Sequence, residues 1–369
     1  MARWHSIPPE LLLQCFEALS PTRGRDMSQQ YLSLIACALV CSGWTGIAQT
    51  LLLQNAVPRT AKDCGSSRAS VEQLVGVLAA GSLRAQELAG LVRTLRLQIG
   101  EDIHYRGTGD QHACLDSVSR LLAICTHLQT LSLTQSALAP PGNVFTGMQM
   151  QRIRDHQNIA HLELIGDVKP PAVMYQLLHA WPGLQQLDIA AWSVNPASAH
   201  LAPRSSLAKL SAKTYGDPSA LISACAPTLR ELVCGLNSLL CVQLVAHSLL
   251  SLSIDCNYPL RTLSDETQAL RALASCTSLE RVEVYNTTIC PPALLEAIPA
   301  SVVCLRLQCC VDATRLADVV RARPGLRHVE VEMITVRVRG DFADLHRVCR
   351  ACNVRLDKPQ QRSQEVSVY

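Results

Sequence analysis

One six-residue pattern recurs along most of this 369-residue chain. An apolar residue is followed by two variable residues, a second apolar residue, one variable residue and a third apolar residue. Copies such as Leu128–Leu133 ("LQTLSL") and Leu279–Val284 ("LERVEV") end in the alternation of a short strand with one buried face. Ten copies occupy residues 92–97, 128–133, 159–164, 184–189, 207–212, 229–234, 249–254, 279–284, 302–307 and 326–331.

Helical patterns separate these predicted strands, for example over residues 119–125, 267–274 and 315–320. Several end in a proline just before the next strand, as in Trp181–Gly183 and Arg323–Gly325, which is a helix stop signal. Because aromatic residues are only 4% of the chain and hydrophobic residues 48%, leucine, valine and alanine must fill thin stacked layers. An α/β repeat array with a period of roughly 20–30 residues is therefore predicted.

Residues 70–356 resemble the leucine-rich-repeat family in this pattern. The resemblance implies a solenoid with short parallel strands on a concave face and helices on a convex face. The family places Asn or Cys three residues after the strand, and Asn237, Asn257 and Cys310 fit that rule. Other residues, such as Gly100 and Asp167, occupy this position elsewhere, so the repeats are degenerate.

The last repeat is followed by a pattern typical of a solenoid cap, over residues 341–357. Asp341 is positioned to begin a helix whose apolar residues are Phe342, Leu345, Val348 and Cys349. Val354–Leu356 is predicted to add a final edge strand. Polar residues 358–369 predict a disordered tail.

The first sixty residues do not fit the repeat. Prolines precede a helix over residues 11–19, in which Leu12, Cys15, Phe16 and Leu19 form one apolar stripe. Residues 20–30 are polar and predict a loop, and a helical stretch follows from about Tyr31 to Leu53. Its apolar face is predicted to carry Val40, Trp44, Ile47 and Leu51, with a break or bend at the helix-weakening Gly43 and Gly46.

This N-terminal segment resembles the F-box in Ile7–Leu11 ("IPPEL"), Val40–Trp44 ("VCSGW") and Ile47–Ala48, in that order. The family is a three-helix module of about 50 residues that binds the Skp adaptor of cullin ubiquitin ligases. The resemblance implies that the adaptor contact or its support comes from Pro8, Leu11, Leu12, Cys15, Phe16, Leu19, Val40, Cys41 and Trp44. Alternatively, the same stripe packs onto the first repeats as an ordinary N-terminal cap.

The predicted domains are an F-box-like helical module at 1–57, a linker at 58–70, the repeat domain with its cap at 71–357, and the tail at 358–369. The N-terminus shows no apolar segment with a cleavage site, and no apolar stretch is long enough to span a membrane. The 17 cysteines alternate with leucine in apolar patterns, as at Cys37, Cys125, Cys225, Cys276 and Cys304. Buried reduced thiols in the cytoplasm or nucleus are the expectation.

Charge patterning favours a protein partner. The net charge is +3, and no run of five or more basic residues could track phosphates. The variable strand residues are expected to point away from the core and carry both signs. The candidates for substrate contact are His161, Glu163, Asp188, Lys209, Glu231, Arg281, Glu283, Tyr285, Arg306, His328 and Glu330. Neither a nucleic acid nor a membrane is expected as a partner.

No catalytic or metal pattern is complete. His346, Cys349 and Cys352 provide three candidate zinc ligands on one predicted helix, without a fourth at zinc-site spacing. Nucleophile-elbow, P-loop and dinucleotide-binding patterns are missing from the sequence, so we expect no cofactor and no chemistry. The leading hypothesis is a substrate-recognition subunit of a Skp–cullin–F-box ubiquitin ligase. Alternatives are a leucine-rich-repeat scaffold with no ubiquitin role and a thiol or zinc hydrolase.

Overall fold

A computed structural model describes residues 8–19, 27–57, 71–99, 115–135, 145–155, 159–166, 172–190, 206–213, 217–257, 263–287, 289–331 and 342–357. The chain divides into two compact units, Met1–Leu187 and Asp188–Tyr369. The division into module, linker, repeats and tail stays a prediction, since residues 58–70 and 358–369 lie outside the described residues.

The first unit combines helices with a parallel sheet. Its helices are α1 (Pro9–Leu19), α2 (Met27–Val40), α3 (Ser42–Gln54), α4 (Val71–Leu78), α5 (Leu83–Leu91), α6 (Leu115–Ile124), α7 (Gly147–Arg154) and α8 (Ala172–Ala180). Its strands are β1 (Asn55–Ala56), β2 (Thr94–Ile99), β3 (Thr130–Gln135) and β4 (His161–Gly166), and β5 (Gln186–Ala190) spans the boundary. From β1 to β4, each strand pairs in parallel with the next one along the chain.

The second unit follows the same plan. Its strands are β6 (Lys209–Lys213), β7 (Glu231–Gly235), β8 (Ser251–Asp255), β9 (Arg281–Tyr285), β10 (Cys304–Leu307), β11 (His328–Val331) and β12 (Arg355–Asp357). Its α-helices are α9 (Ser219–Cys225), α10 (Leu263–Ala274), α11 (Pro292–Ala297), α12 (Ala313–Ala322) and α13 (Phe342–Ala351), and a 3₁₀ helix covers Leu236–Val245. From β6 to β12, neighbours in sequence again pair in parallel.

All ten predicted strands are confirmed, and each begins at the third residue of its pattern. In the copy at 279–284, the three apolar residues Leu279, Val282 and Val284 are fully buried. The first lies just before β9, and the other two alternate along it with partly exposed neighbours. This alternation places one face of the sheet in the core, and the α/β repeat architecture is confirmed within each unit.

The helix and the edge strand predicted for the C-terminal cap are both present, and the strand begins one residue later than predicted. Leu345 and Cys349 on α13 are buried, and β12 pairs in parallel with β11. Asn353 has a φ of 56° between the two elements, and the Val354 amide donates to the Cys349 carbonyl at 2.7 Å. This left-handed residue ends α13 and turns the chain back into the sheet. The predicted N-cap Asp341 lies outside the described residues.

The N-terminal helices differ from the prediction in three details. The break falls at Cys41, which is extended (φ −162°, ψ 162°), whereas Gly43 and Gly46 lie inside α3. Because α2 begins at Met27, residues 27–30 are helical and do not belong to a loop. Val40 ends α2 and is 58% exposed, so it does not share a buried face with Leu51. The extended Cys41 reorients the chain, so residues before and after it follow different helical faces.

The cysteines follow the prediction in part. Every described cysteine is a free thiol, and Cys125, Cys225 and Cys276 are buried. Cys37 and Cys304 are only half-buried, and Cys304 lies on the side of β10 opposite the buried Leu305 and Leu307. Within the described part of the chain, no helix has the length and hydropathy needed to cross a membrane.

Candidate binding surfaces

The helices α1, α2 and α3 share a small core of their own. Phe16, Leu34, Ala48 and Leu51 are buried in it, and each is less than 5% exposed. The Trp44 ring meets the Phe16 ring edge-on, with centroids 5.3 Å apart and planes at 74°. Such an aromatic pair contributes about 0.5–1.5 kcal/mol beyond the burial of its area. Trp44 therefore stabilises the packing of α3 against α1.

The corner between α2 and α3 is held by Thr45. Its hydroxyl donates to the Ala38 carbonyl at 2.7 Å and lies 3.1 Å from the Cys41 carbonyl. The Trp44 amide also donates to the Cys41 carbonyl at 3.1 Å. These bonds satisfy carbonyls at the end of α2 and set the direction in which α3 leaves.

A row of large apolar side chains on α2 remains exposed. Leu32, Ile35 and Leu39 are 55%, 43% and 81% exposed, and their spacing of three and four residues places them on one helix face. We call these three residues the α2 stripe. They were not among the residues predicted for adaptor binding. The available signal was that the apolar residues of α2 lie on more than one helix face, so a single core cannot cover all of them.

The nine residues predicted for adaptor binding divide by exposure. Leu12 and Phe16 are buried, and Cys41 and Trp44 are half-buried. The exposed ones are Pro8, Leu11, Cys15 and Val40, with Leu11 at 51%. Leu19 is the last residue of α1, and its side chain lies outside the described part. The buried members can support such a surface, and the exposed ones can contact a partner.

The helical module continues directly into the sheet. Strand β1 follows α3 without an intervening loop and pairs with β2. The Arg93 amide donates to the Gln54 carbonyl at 3.1 Å, and the Arg84 guanidinium donates to the Gln49 side chain at 3.1 Å. These contacts join α3 to the first repeat within the first unit.

The second unit presents the other candidate surface, the outward side of strands β6–β12, which we call the open face. Parallel register aligns its side chains in rows that cross the strands. One row contains Lys209, Glu231, Ser251, Arg281, Cys304, His328 and Arg355. The next row contains Ser211, Val233, Ser253, Glu283, Arg306, Glu330 and Asp357. Residues far apart in sequence are thus direct neighbours.

Opposite charges meet at several places in these rows. Arg306 lies between two carboxylates, 3.3 Å from Glu283 and 3.3 Å from Glu330. Ser253 donates to Glu283 at 3.1 Å. Lys209 pairs with Glu231 at 3.4 Å. Because these groups are partly solvated, each pair contributes about 0–1 kcal/mol to stability, and the face remains available to other charged partners.

A hydrogen-bonded group crosses β10, β11 and β12. The Cys304 sulfur lies 3.6 Å from Nδ1 of His328, and Nε2 of the same ring lies 2.8 Å from the Asp357 carboxylate. Arg355 donates to Asp357 at 2.9 Å. The hydrogen bonds from Arg355 and His328 lower the pKa of the Asp357 carboxyl below its usual range. Asp357 therefore stays ionised at neutral pH.

All eleven residues predicted for substrate contact lie on strands, and none is buried. His161 and Glu163 belong to β4, Asp188 lies on β5, and the other eight are on the open face. Lys213 lies over the Tyr285 ring, with its ammonium 5.3 Å from the centroid. The sequence prediction missed Cys304, Arg355 and Asp357, whose roles depend on pairing across strands. Cys304 was predicted to be buried, whereas it and Arg355 occupy variable positions between apolar residues, which are typical of outward-facing side chains.

The candidate zinc ligands of α13 are not arranged as a metal site. Cys349 is buried, and burial raises the pKa of its thiol. Across the described ranges, no group of three or more His, Cys, Asp or Glu side chains is arranged to hold a metal ion.

Similarity to known proteins is found among solved structures only. No protein-family model matches this sequence, and no curated protein matches it either. Among solved structures, the chain is similar to the leucine-rich repeat-containing protein LegL7 from Legionella pneumophila. The two sequences are 14% identical, the match covers 72% of this chain and 89% of that one, and the TM-score is 0.36.

Proposed function

We propose that this protein is a substrate-recognition subunit of a Skp–cullin–F-box ubiquitin ligase. The helices α1–α3 bind a Skp-family adaptor, and the open face binds a protein substrate. The protein does not itself catalyse the transfer of ubiquitin. It raises the effective concentration of a substrate lysine near the ubiquitin-loaded conjugating enzyme.

The observation that carries this proposal is the α2 stripe. A three-helix segment with a closed core has no structural need to expose Leu32 and Leu39, yet both are more than half exposed. Leu11 and Val40 extend this apolar exposure on α1 and α2. Clustered exposed apolar residues favour a protein interface, in which a few large side chains supply most of the binding energy.

The open face supports the second half of the proposal. Arg306, Glu283 and Glu330 alternate in sign, so the surface lacks the continuous positive charge that a nucleic acid would need. A polar surface with both signs gives specificity for a partner of complementary charge pattern. A protein substrate is therefore favoured over a nucleic acid.

The test is co-purification of the full chain with a Skp-family adaptor, comparing wild type with Leu39→Asp. Leu39 is 81% exposed, so the substitution should leave the fold intact while placing a charge in the interface. We expect a loss of at least about 2 kcal/mol, or roughly thirtyfold in Kd. The matched control is Leu83→Asp on α5, because Leu83 is 74% exposed and lies outside the module.

Two outcomes contradict the proposal. Wild-type protein that retains no adaptor rules out the ubiquitin-ligase role. Equal adaptor binding by wild type and Leu39→Asp would mean that the α2 stripe does not contact the adaptor. Loss of binding in both Leu39→Asp and Leu83→Asp would mean that a general solubility effect, and not a specific contact, was measured.

The second candidate function is a repeat scaffold whose N-terminal helices serve only as a cap. The pairing of β1 with β2 and the bond from Arg93 to Gln54 favour it, because the module then completes the sheet edge. Deletion of residues 1–57 separates the two functions. A cap deletion should make the repeats insoluble, whereas loss of an adaptor module should leave soluble repeats that no longer bind the adaptor.

A further inference from the structure

Three side chains on adjacent strands, Cys304, His328 and Asp357, form a hydrogen-bonded series. Cys304 on β10 lies directly opposite His328 on β11 in the parallel register. Asp357 on β12 lies two residues beyond Arg355, the register partner of His328, and reaches the far side of the imidazole. The distances are 3.6 Å from sulfur to Nδ1 and 2.8 Å from Nε2 to the carboxylate. Both fall within hydrogen-bonding range for their atom types.

The direction of the two hydrogen bonds of His328 follows from the charge of the Asp357 carboxylate. An ionised Asp357 can only accept, so the neutral His328 ring carries its proton on Nε2 and donates it to Asp357. Nδ1 is then an acceptor, and the Cys304 thiol is the donor that faces it. Asp357 thus fixes the tautomer in which His328 can take a proton from sulfur.

The surroundings of the thiol make a base necessary. Burial raises the pKa of the Cys304 thiol, and Glu330 raises it further, while Arg281 and Arg306 act in the opposite direction. At neutral pH the sulfur therefore carries its proton, and it becomes a nucleophile when His328 accepts that proton. The charged groups that act on the thiol are Arg281, Arg306 and Glu330, and His328, Asp357 and Arg355 follow it in the hydrogen-bonded series.

We propose that Cys304 is a covalent-modification site that reacts with small anionic disulfides such as glutathione disulfide, with His328 as the base and Asp357 as a positioning residue. The Cys304 sulfur gives its proton to Nδ1 of His328 and attacks one sulfur of the disulfide. A new S–S bond forms as the old one breaks, and the leaving thiolate takes the proton from His328. Cys304 is oxidised to a mixed disulfide, and one equivalent of glutathione is released as the thiol.

Charge and access favour this class of reagent. Arg281 and Arg306 bring guanidinium groups near the thiol, and glutathione disulfide carries carboxylates that such groups bind. The side chains of His328 and Asp357 are 32% and 35% exposed, so the site is shallow and open. A shallow site does not exclude water or position a large substrate, which disfavours turnover but leaves a single exchange step possible.

This inference does not rest on the ubiquitin-ligase proposal, because it concerns a reaction of the isolated chain. The reduced 369-residue chain is incubated with glutathione disulfide at pH 7, and modification of each cysteine is followed by peptide mass spectrometry. The internal comparison is Cys352, which is likewise half-buried. We expect Cys304 to form the mixed disulfide at least about tenfold faster than Cys352.

The variants separate base catalysis from exposure. His328→Asn should slow modification of Cys304 at pH 7 by at least about tenfold, and its rate should rise steadily toward pH 9 as solvent removes the thiol proton. Asp357→Asn should give a smaller decrease with a shifted pH profile, as expected of a positioning residue. Cys304→Ser should remove the modified peptide and leave the reaction of Cys352 unchanged.

Either of two results would overturn the inference. One is a Cys304 rate no greater than that of Cys352 in the wild-type protein, a comparison that needs no variant to fold. The other is a His328→Asn protein with native circular dichroism whose Cys304 reacts as fast as wild type at pH 7.

Discussion

The helices α1–α3 and the open face of β6–β12 expose opposite kinds of side chain, apolar on the helices and charged on the strands. The helices leave Leu32, Ile35 and Leu39 exposed, although Phe16 and Leu34 already fill a core beneath them. The strands expose charged residues in rows. In the pattern copy at 249–254, Leu249 and Leu252 are buried in the core, and Leu250 is 39% exposed. An apolar surface gains free energy from any partner that covers it, whereas a charged surface gains mainly selectivity.

The largest effect that we expect concerns the core beneath the α2 stripe. Phe16→Ala removes a buried ring and its edge contact with Trp44, which should cost about 3–5 kcal/mol. Hydrogen exchange in α1–α3 measures the loss. Leu39→Ala is the matched control and should change stability by less than about 0.5 kcal/mol, because this side chain is already solvated. Equal costs for the two substitutions would mean that the stripe belongs to the core.

The next prediction compares the stability lost when a buried charge is removed with the stability lost when an exposed charge of the open face is removed. Arg323 is 8% exposed, and its guanidinium donates to the carbonyls of Leu295, Glu296 and Ile298 at 3.2, 2.8 and 2.7 Å. These carbonyls belong to the C-terminal end of α11 and the residue that follows it, where a cation is favourable.

Arg323→Met should therefore destabilise the second unit by about 2–4 kcal/mol, since it leaves buried acceptors without donors. Arg306→Met on the open face should cost less than about 1 kcal/mol because its ion pairs are solvated. Urea denaturation compares the two variants. A larger loss of unfolding free energy for Arg306→Met than for Arg323→Met would show that the charged rows stabilise the fold as well as forming a binding surface.

The smallest effect concerns Asp357. The hydrogen bonds from Arg355 and His328 lower its pKa in the folded state. Its contribution to the free energy of unfolding is therefore complete above the unfolded-state pKa of about 3.9, and it is lost as pH falls through the folded-state pKa. Wild type should therefore lose more stability than Asp357→Asn on acidification below about pH 4. A carboxyl NMR titration checks the direction, and a normal or raised pKa for Asp357 would contradict it.

The strands and the cap were the most predictable parts of the fold. The alternation in patterns such as 279–284 depends only on which residues avoid water, and a strand with one buried face is the local structure that satisfies it. The same reasoning identified Leu345 and Cys349 as the buried side of α13. The helix break was placed wrongly because glycine lowers helix propensity only modestly, whereas the extended Cys41 is set by how α3 packs on α2.

The sequence by itself determined the repeat, the parallel strands and which side of each strand carries charge. Only the tertiary structure decided which charges meet, because residues 304, 328 and 357 become neighbours through strand register and not through chain distance. It also decided that Phe16 is buried while Leu39 is exposed, since both lie in helices of similar apolar content. Local patterns indicate which residues favour burial, and packing among distant segments decides which of them are buried.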